Sequence, residues 1–273
     1  MKADLHTHTT SSDGLYSPEE LVTLAEHHRI TLLAITDHDT FDGAERVMMQ
    51  KPPMQMLMGV ELSLRDMHGL HLLGYGRKKD TPLHQKVKEL AEMRVSRAER
   101  MLEKLAELGY PLSMERISAE AHGSIGRPHI ARAMVEAGYV ADVAEAFDRF
   151  IGDGGPAYVG GERLSMAEAL PLMHESGFVP VLAHPMELEK PDAAIRYLLG
   201  QWQEQGLMGV EVYHPSAGRN MAQLDRMARR MGFLITGGSD FHGDSGRHGM
   251  LGCTAAMWTN AEKDVERLME AME

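Results

Sequence analysis

Seven short apolar runs, each abutting a histidine or a carboxylate, constrain this 273-residue chain more than any other feature. ADL (3–5) runs into His6, and ITLLAIT (30–36) into Asp37-His38-Asp39. MLMGV (56–60) runs into Glu61, whereas HLLGYG (71–76) opens on His71. FVPVLA (178–183) reaches His184-Pro185, MGVEVY (208–213) reaches His214-Pro215, and GFLIT (232–236) reaches GGSDFH, which carries Asp240 and His242. Runs this short, continuous and β-branched predict buried strands rather than helices. Helical patterns lie between several of them, at 17–30, 165–177 and 220–232, the first with Ser17 as N-cap and Pro18 in the first turn. Gly177 and Gly232 close the other two. Strand–helix–strand repeats predict an α/β fold of parallel strands joined by right-handed crossovers. The carboxyl ends of such strands converge on one rim.

The segment from about 81 to 160 breaks this rhythm. VKELAEMRVSRAERMLEKLAELG (87–109) is one long helical pattern ended by Gly109, and GSIGRPHIARAMVEAG and DVAEAFDRFIG predict two shorter helices. Residues 99–155 are therefore expected to form a small all-helical insertion, rejoined through the glycine-rich GDGGPAYVGG. Residues 1–98 and 156–273 would form the main domain. Arg94, Arg97 and Arg100 line the approach to the insertion, and Arg127 and Arg132 open its second helix.

At the start of the chain, DLHTHTTSSDG places His6 and His8 two residues apart, so an extended backbone points both the same way. With Asp13, His38, Glu61, His71, His184, Asp240 and His242 they make nine imidazoles and carboxylates at or near strand ends, with His214 a tenth candidate. Imidazole with carboxylate and no thiolate suits manganese, iron or zinc, and nine donors exceed what one ion needs. A closed structural site uses four ligands, so a set of nine with positions left for water reads as catalytic. His27, His28, His68, His84, His122, His174 and His248 fall outside the pattern and are expected to be solvated or supporting. Asp37 is expected to orient a ligand histidine.

Composition then removes classes of function. One cysteine, Cys253, excludes a disulfide framework and any cysteine-rich metal site. A formal net charge of −12 argues against a broad basic face for duplex DNA. No apolar run has the length of a signal peptide core or a membrane span, so the expected location is cytoplasmic.

The ordered motifs DLHTHT, SSDG, TDHDT, Glu61, His71, AHP and SDFH resemble those of the PHP (polymerase and histidinol phosphatase) superfamily, across both ends of the chain. GRPHIARAM, AHPMELEK and EVYHPSAGRN resemble its bacterial nucleoside 3′,5′-bisphosphate phosphatase branch, whose members are also described as 5′-to-3′ exoribonucleases. The resemblance implies a distorted seven-stranded β/α barrel with two or three divalent ions at its rim, Mn²⁺ first, with Fe²⁺ or Zn²⁺ as alternatives. It implies one ion on His6, His8, Glu61 and Asp240, a second on Glu61, His71 and His184, and a third on Asp13, His38 and His242.

The expected reaction is hydrolysis of a 3′-phosphate by a metal-bridged hydroxide, with Asp13, His38, Glu61 and Asp240 at the reacting centre. His214 is the candidate proton donor. Arg97, Arg100, Arg127, Arg132 and Arg219 are candidates for holding the second phosphate of a small nucleotide such as adenosine 3′,5′-bisphosphate, or a short single-stranded RNA. The alternatives are a histidinol-phosphate-type monoesterase, which needs no second anion pocket, and a non-catalytic PHP domain, which would be expected to have lost ligands.

Overall fold

A computed structural model describes residues 1–120, 125–243 and 249–273. His122 and His248 lie outside the described residues, as does the Gly123-Ser124 start of the second predicted insertion helix. Seven strands form one sheet in chain order: β1 (Ala3–Asp4), β2 (Leu32–Ile35), β3 (Gln55–Ser63), β4 (His71–Gly76), β5 (Val179–Leu182), β6 (Gly209–Tyr213) and β7 (Leu234–Gly237). The first and last strands meet as well. Leu5 N–H donates to the Gly237 carbonyl at 3.1 Å, Asp240 N–H to that of His6 at 2.9 Å, and Thr7 pairs in parallel with Phe241. The sheet thus curls into a seven-stranded barrel with helices outside it.

The expectation of parallel strands holds for β1–β2–β3 and β5–β6–β7 and fails at β4, which is antiparallel to both neighbours. The reason is spacing. Only residues 64–70 separate β3 from β4, too few for a parallel crossover, so the two strands form a hairpin with Ser63 opposite His71. A reversed strand begins at the rim where its neighbours end, which is why HLLGYG carries its histidine first. A second correction concerns Glu61, which lies within β3 opposite Leu73 rather than after the strand.

Each helical pattern read in the sequence forms a helix. Ten are present among the described residues: α1 (Pro18–His27), α2 (Asp42–Met48), α3 (Pro82–Glu107), α4 (Met114–Glu120), α5 (Arg127–Glu136), α6 (Val143–Ala146), α7 (Met166–Glu175), α8 (Asp192–Glu204), α9 (Met221–Arg230) and α10 (Ala261–Glu270). Ser17 caps α1 in a reciprocal box with Glu20, and Ser165 does the same for α7 with Glu168. Gly109, Gly177 and Gly232 have φ of +90°, +71° and +85°, the left-handed conformation that a helix exit favours. The sequence pattern assigns no helix to 42–48, 114–120, 192–204 or 261–270, where α2, α4, α8 and α10 form. It also misses the wide π-type turn at Phe147–Ile151 that continues α6.

Two hydrophobic clusters form. The larger fills and surrounds the barrel, and α3 contributes Leu83, Val87 and Leu90 to it. Farther along the same helix, Ala98, Met101, Leu102 and Leu105 face a second cluster with Ile117, Ile130, Met134, Phe150 and Ile151. A single rigid helix therefore joins the barrel to the helical segment. No helix among the described residues is long and apolar enough to cross a membrane.

Candidate metal centre

Alternation at the end of β1 sends His6 and His8 to one side while the Thr7 hydroxyl turns away to donate to the Ala34 carbonyl at 2.7 Å. The two Nε2 atoms lie 3.1 Å apart. Glu61 Oε2 is 3.1 Å from each of them, and Asp240 Oδ1 is 3.2 Å from each. All four side chains are buried. Donors about 2.0–2.1 Å from one ion are roughly 2.9 Å apart at right angles and about 3.4 Å apart at the tetrahedral angle. The observed edges fall between these limits, so the cage fits a divalent ion.

The other oxygen of Glu61 faces a second group. Oε1 is 2.9 Å from His71 Nδ1 and 2.9 Å from His184 Nε2, and these two nitrogens are 3.3 Å apart. Glu61 therefore stands between two donor clusters, the arrangement a bridging carboxylate requires. A third group gathers His8, Asp13, His38 and His242, with His242 Nε2 3.3 Å from Asp13 Oδ1 and its ring stacked 4.0 Å from that of His8. All nine residues are thus brought to one rim. Asp13 Oδ1 and His38 Nδ1 are buried without a hydrogen bond, as expected of a donor set built for cations. His184 and Asp240 hold φ of +22° and +54°, in a region that residues with a side chain seldom adopt, aspartate more readily than most.

Charge tells the same story. Burial pushes the Glu61 and Asp13 carboxyls up, but the surrounding imidazoles overcome it, His38 and His6 chiefly for Glu61, His242 and His38 for Asp13, and hold both well below the usual range. Burial opposes charge on His8, yet hydrogen bonding to Asp240 and Glu61 carries it up to about 10. His184 is likewise raised to about 9, mainly through Glu61 acting against its burial. His38 goes the other way, lowered by burial to about 3. Without cations, the carboxylates draw protons onto three of the histidines that would otherwise ligate, His8, His184 and His6, the last raised by Glu211, Glu61 and Asp240 against its burial.

Supporting carboxylates complete the rim. Asp37 differs from its expected role: it accepts from Thr9 N–H and Oγ1 and from Ser12 Oγ, each at 2.7 Å, so it anchors the loop that carries Asp13 instead of orienting a histidine. Asp4 accepts from Ser239 N–H at 2.9 Å and Oγ at 2.6 Å and from Gly252 N–H at 2.7 Å, fastening the approach to Asp240. Glu211 stands outside the nine donors that the sequence pattern marks. This fully buried carboxylate accepts from His6 Nδ1–H at 3.1 Å and from the His184 backbone N–H at 2.9 Å. Its only signal was a charged residue between Val210 and Val212 in an otherwise apolar strand. His214 is buried, and its Nδ1 accepts from Ser216 N–H at 3.1 Å, so in the neutral ring Nε2 carries the proton. That Nε2 lies 3.7 Å from Asp240 Oδ2.

Close packing makes the closure fragile. A Cβ on Gly238 would meet His6 Cβ at 2.3 Å and His6 N at 2.5 Å. Gly238→Ala is expected to displace His6, to cost roughly 1–3 kcal/mol of stability by overpacking, and to lower bound metal; denaturant unfolding with metal analysis checks both.

A cleft opens beside the third donor group. Asp13 and His38 form part of its wall, and Arg94, Arg97, Arg127 and Arg163 form much of the rest, with His129 and Phe147. Arg94 pairs with Asp39, and Arg127 Nη1 donates to Asp153 at 2.6 Å. Arg97 Nε donates to the Val159 carbonyl at 2.7 Å. Burial, with Arg163 and Arg97 nearby, pushes Arg94 down to about 9; burial, with Arg127 and Arg163 nearby, pushes Arg97 down to about 10. Four crowded guanidiniums face three carboxylates, Asp13, Asp39 and Asp153, and their excess positive charge favours an added anion. Of the arginines singled out in the sequence, Arg94, Arg97 and Arg127 line this cleft, while Arg100, Arg132 and Arg219 do not. Arg163, after the glycine-rich return segment, carried no helical pattern to draw notice.

The PHP domain family model matches residues 4–154, the stretch carrying His6, His8, Asp13, His38, Glu61 and His71. The chain belongs to the PHP family. It is 32% identical over 249 residues to a 5′-3′ exoribonuclease from Haemophilus influenzae, covering 88% of this chain and 90% of that protein. It is 31% identical over 253 residues to a 3′,5′-nucleoside bisphosphate phosphatase from Chromobacterium violaceum, covering 89% of each. In three dimensions it resembles a Bifidobacterium adolescentis protein assigned by inference as a metal-dependent phosphoesterase, with TM-score 0.84 and 27% identity over 98% of this chain and 96% of that one. Donor clusters and relatives together make this PHP protein a metal-dependent phosphoesterase, an enzyme and not a scaffold.

Proposed function

We propose that this PHP enzyme removes the 3′-phosphate of nucleoside 3′,5′-bisphosphates, and that the same centre trims short 5′-phosphorylated RNA from its 5′ end. The observation that carries this reading is a shared wall. Asp13 and His38 belong both to the donor cluster and to the arginine cleft, so two anion-binding devices sit side by side. A substrate with two phosphates uses both. The relatives named for bisphosphates and for RNA support this pairing of activities.

In this proposal His6, His8, Glu61 and Asp240 hold one divalent ion, Glu61 with His71 and His184 a second, and Asp13, His38 and His242 a third. Bound cations supply Lewis acidity and an activated water at neutral pH. The chain's own groups do the rest. Arg94, Arg97, Arg127 and Arg163 hold the phosphate that is not cleaved and so orient the one that is. His214, acting as the imidazolium with Nε2–H directed toward Asp240, donates the proton that the departing ribose oxygen needs and is left as the neutral ring. Residues 99–155 act as a substrate lobe, since Arg127 and Phe147 reach the cleft from within them. Asp39 and Asp153 occupy two of the guanidiniums and are displaced or shared when phosphate enters.

Phosphate release from adenosine 3′,5′-bisphosphate, adenosine 3′-monophosphate and a graded set of 5′-phosphorylated RNAs, with added Mn²⁺, tests the reading. Arg127→Ala is expected to raise KM for the bisphosphate about tenfold, the worth of one charge-assisted hydrogen bond, and to change the monophosphate little. Equal effects on both would remove Arg127 from recognition. Faster turnover of a small alcohol monophosphate than of any nucleotide would favour a histidinol-phosphate-type esterase.

A further inference from the structure

We propose that Glu211 is a positioning residue for the metal centre, setting the proton of one ligand and the backbone of another. The inference rests on the reading that the rim holds divalent cations. Glu211 lies in β6, between Val210 and Val212, and is fully buried. It touches none of the donor atoms that face the central cage. It reaches behind them instead. His6 Nδ1–H donates to Glu211 Oε1 at 3.1 Å and lies 3.2 Å from Oε2, while the His184 backbone N–H donates to Oε2 at 2.9 Å.

The first contact fixes a tautomer. With its proton held on Nδ1, His6 presents the lone pair of Nε2 to the cage formed with His8, Glu61 and Asp240. The second contact fixes a strained backbone. His184 has φ of +22°, and its N–H, satisfied by Glu211, keeps the peptide in the orientation that aims Nε2 at Glu61. One carboxylate thereby braces a donor from each of two clusters. Both partners are donors, and both oxygens lie within hydrogen-bond reach of His6 Nδ1, so a donating group in either place would oppose an N–H.

Glutamine cannot replace it. An amide offers one accepting oxygen and one donating nitrogen, so either His184 N–H loses its acceptor or His6 must receive a hydrogen bond on Nδ1. In the second case the His6 proton moves to Nε2 and blocks the ligating atom. Aspartate keeps two accepting oxygens on a shorter reach.

The experiment titrates Zn²⁺ alone into the metal-stripped full chain by calorimetry, for wild type, Glu211→Gln and Glu211→Asp, and records long-range ¹H–¹⁵N histidine spectra of the zinc-loaded forms. The wild type is expected to show the His6 proton on Nδ1. Glu211→Gln is expected to bind its tightest zinc about 10–100-fold more weakly with an unchanged far-ultraviolet dichroism spectrum, and Glu211→Asp to recover part of the loss. Wild-type affinity in Glu211→Gln, or a loss that Glu211→Asp does not reduce at all, overturns the assignment. If Glu211→Gln does not fold, Glu211→Asp decides: wild-type affinity after loss of the Nδ1–H signal overturns it, and weakened affinity with that signal shifted supports it. Failure of the wild type itself to bind zinc would instead reject the metal reading on which the inference stands.

Discussion

Replacing Asp240 with alanine is expected to lower phosphate release by about a thousandfold or more, the equivalent of roughly 4 kcal/mol of transition-state stabilisation. Its Oδ1 closes the cage at 3.2 Å from both His6 and His8 Nε2, and its Oδ2 faces the proposed proton donor His214. Removing it opens the cage and frees His214 from its nearest carboxylate. Alanine also tolerates φ of +54° less readily than aspartate, so Asp240→Asn is the companion variant, keeping the shape and removing the charge. Turnover at saturating Mn²⁺ and metal content by mass spectrometry are the measurements. Activity retained with a full complement of metal would reject the centre.

The second large effect concerns acidity. In the metal-free protein, folding raises His8 to about 10 and His184 to about 9, against about 6.5 in an unfolded chain. A group raised on folding contributes its stability in full below the unfolded value and loses it as the pH climbs through the folded one. Glu61 and Asp13, depressed on folding, contribute above about pH 4 and lose their contribution in acid. His38, lowered to about 3, also favours the folded state at neutral pH and loses that contribution as the pH falls from about 6.5 toward 3. Chelated protein is therefore expected to lose several degrees of Tm between about pH 6.5 and 10. Mn²⁺-loaded protein should stay nearly flat over the same window, because cations replace the protons. Binding should release protons, visible as a dependence of the calorimetric heat on the buffer's ionisation enthalpy. A Tm that is equally flat with chelator and with metal would show that these histidines carry no such charge.

How much of this was legible in the sequence depended on where the information resides. The strands and the nine rim donors could be read because buried parallel strands are continuous apolar runs and their donors follow in register. Glu211 escaped that logic, since a single carboxylate inside MGVEVY looks like an interruption until the His6 ring and the His184 backbone N–H, 205 and 27 residues away, are in place. Asp37 and Asp39 flank the same histidine symmetrically in the chain, yet one turns toward Thr9 and the other toward Arg94, a choice set by neighbouring segments. The arginines divided for a similar reason. Arg97 and Arg100 are three apart on α3, but α3 turns only Arg97 into the cleft. The reversal of β4 was written in the short gap before HLLGYG, where the strand–helix rhythm lapses.

The closure of β1 on β7 bears on how the molecule assembles. Glu61 and His71 sit ten residues apart on one hairpin, a local pairing that costs little chain entropy and can form early. His6 and Asp240 are separated by nearly the whole polypeptide and meet only when its two extremities dock. An ion shared by that pair would act as a clasp on the ring, so loss of the cation should loosen the terminal strands before the hairpin.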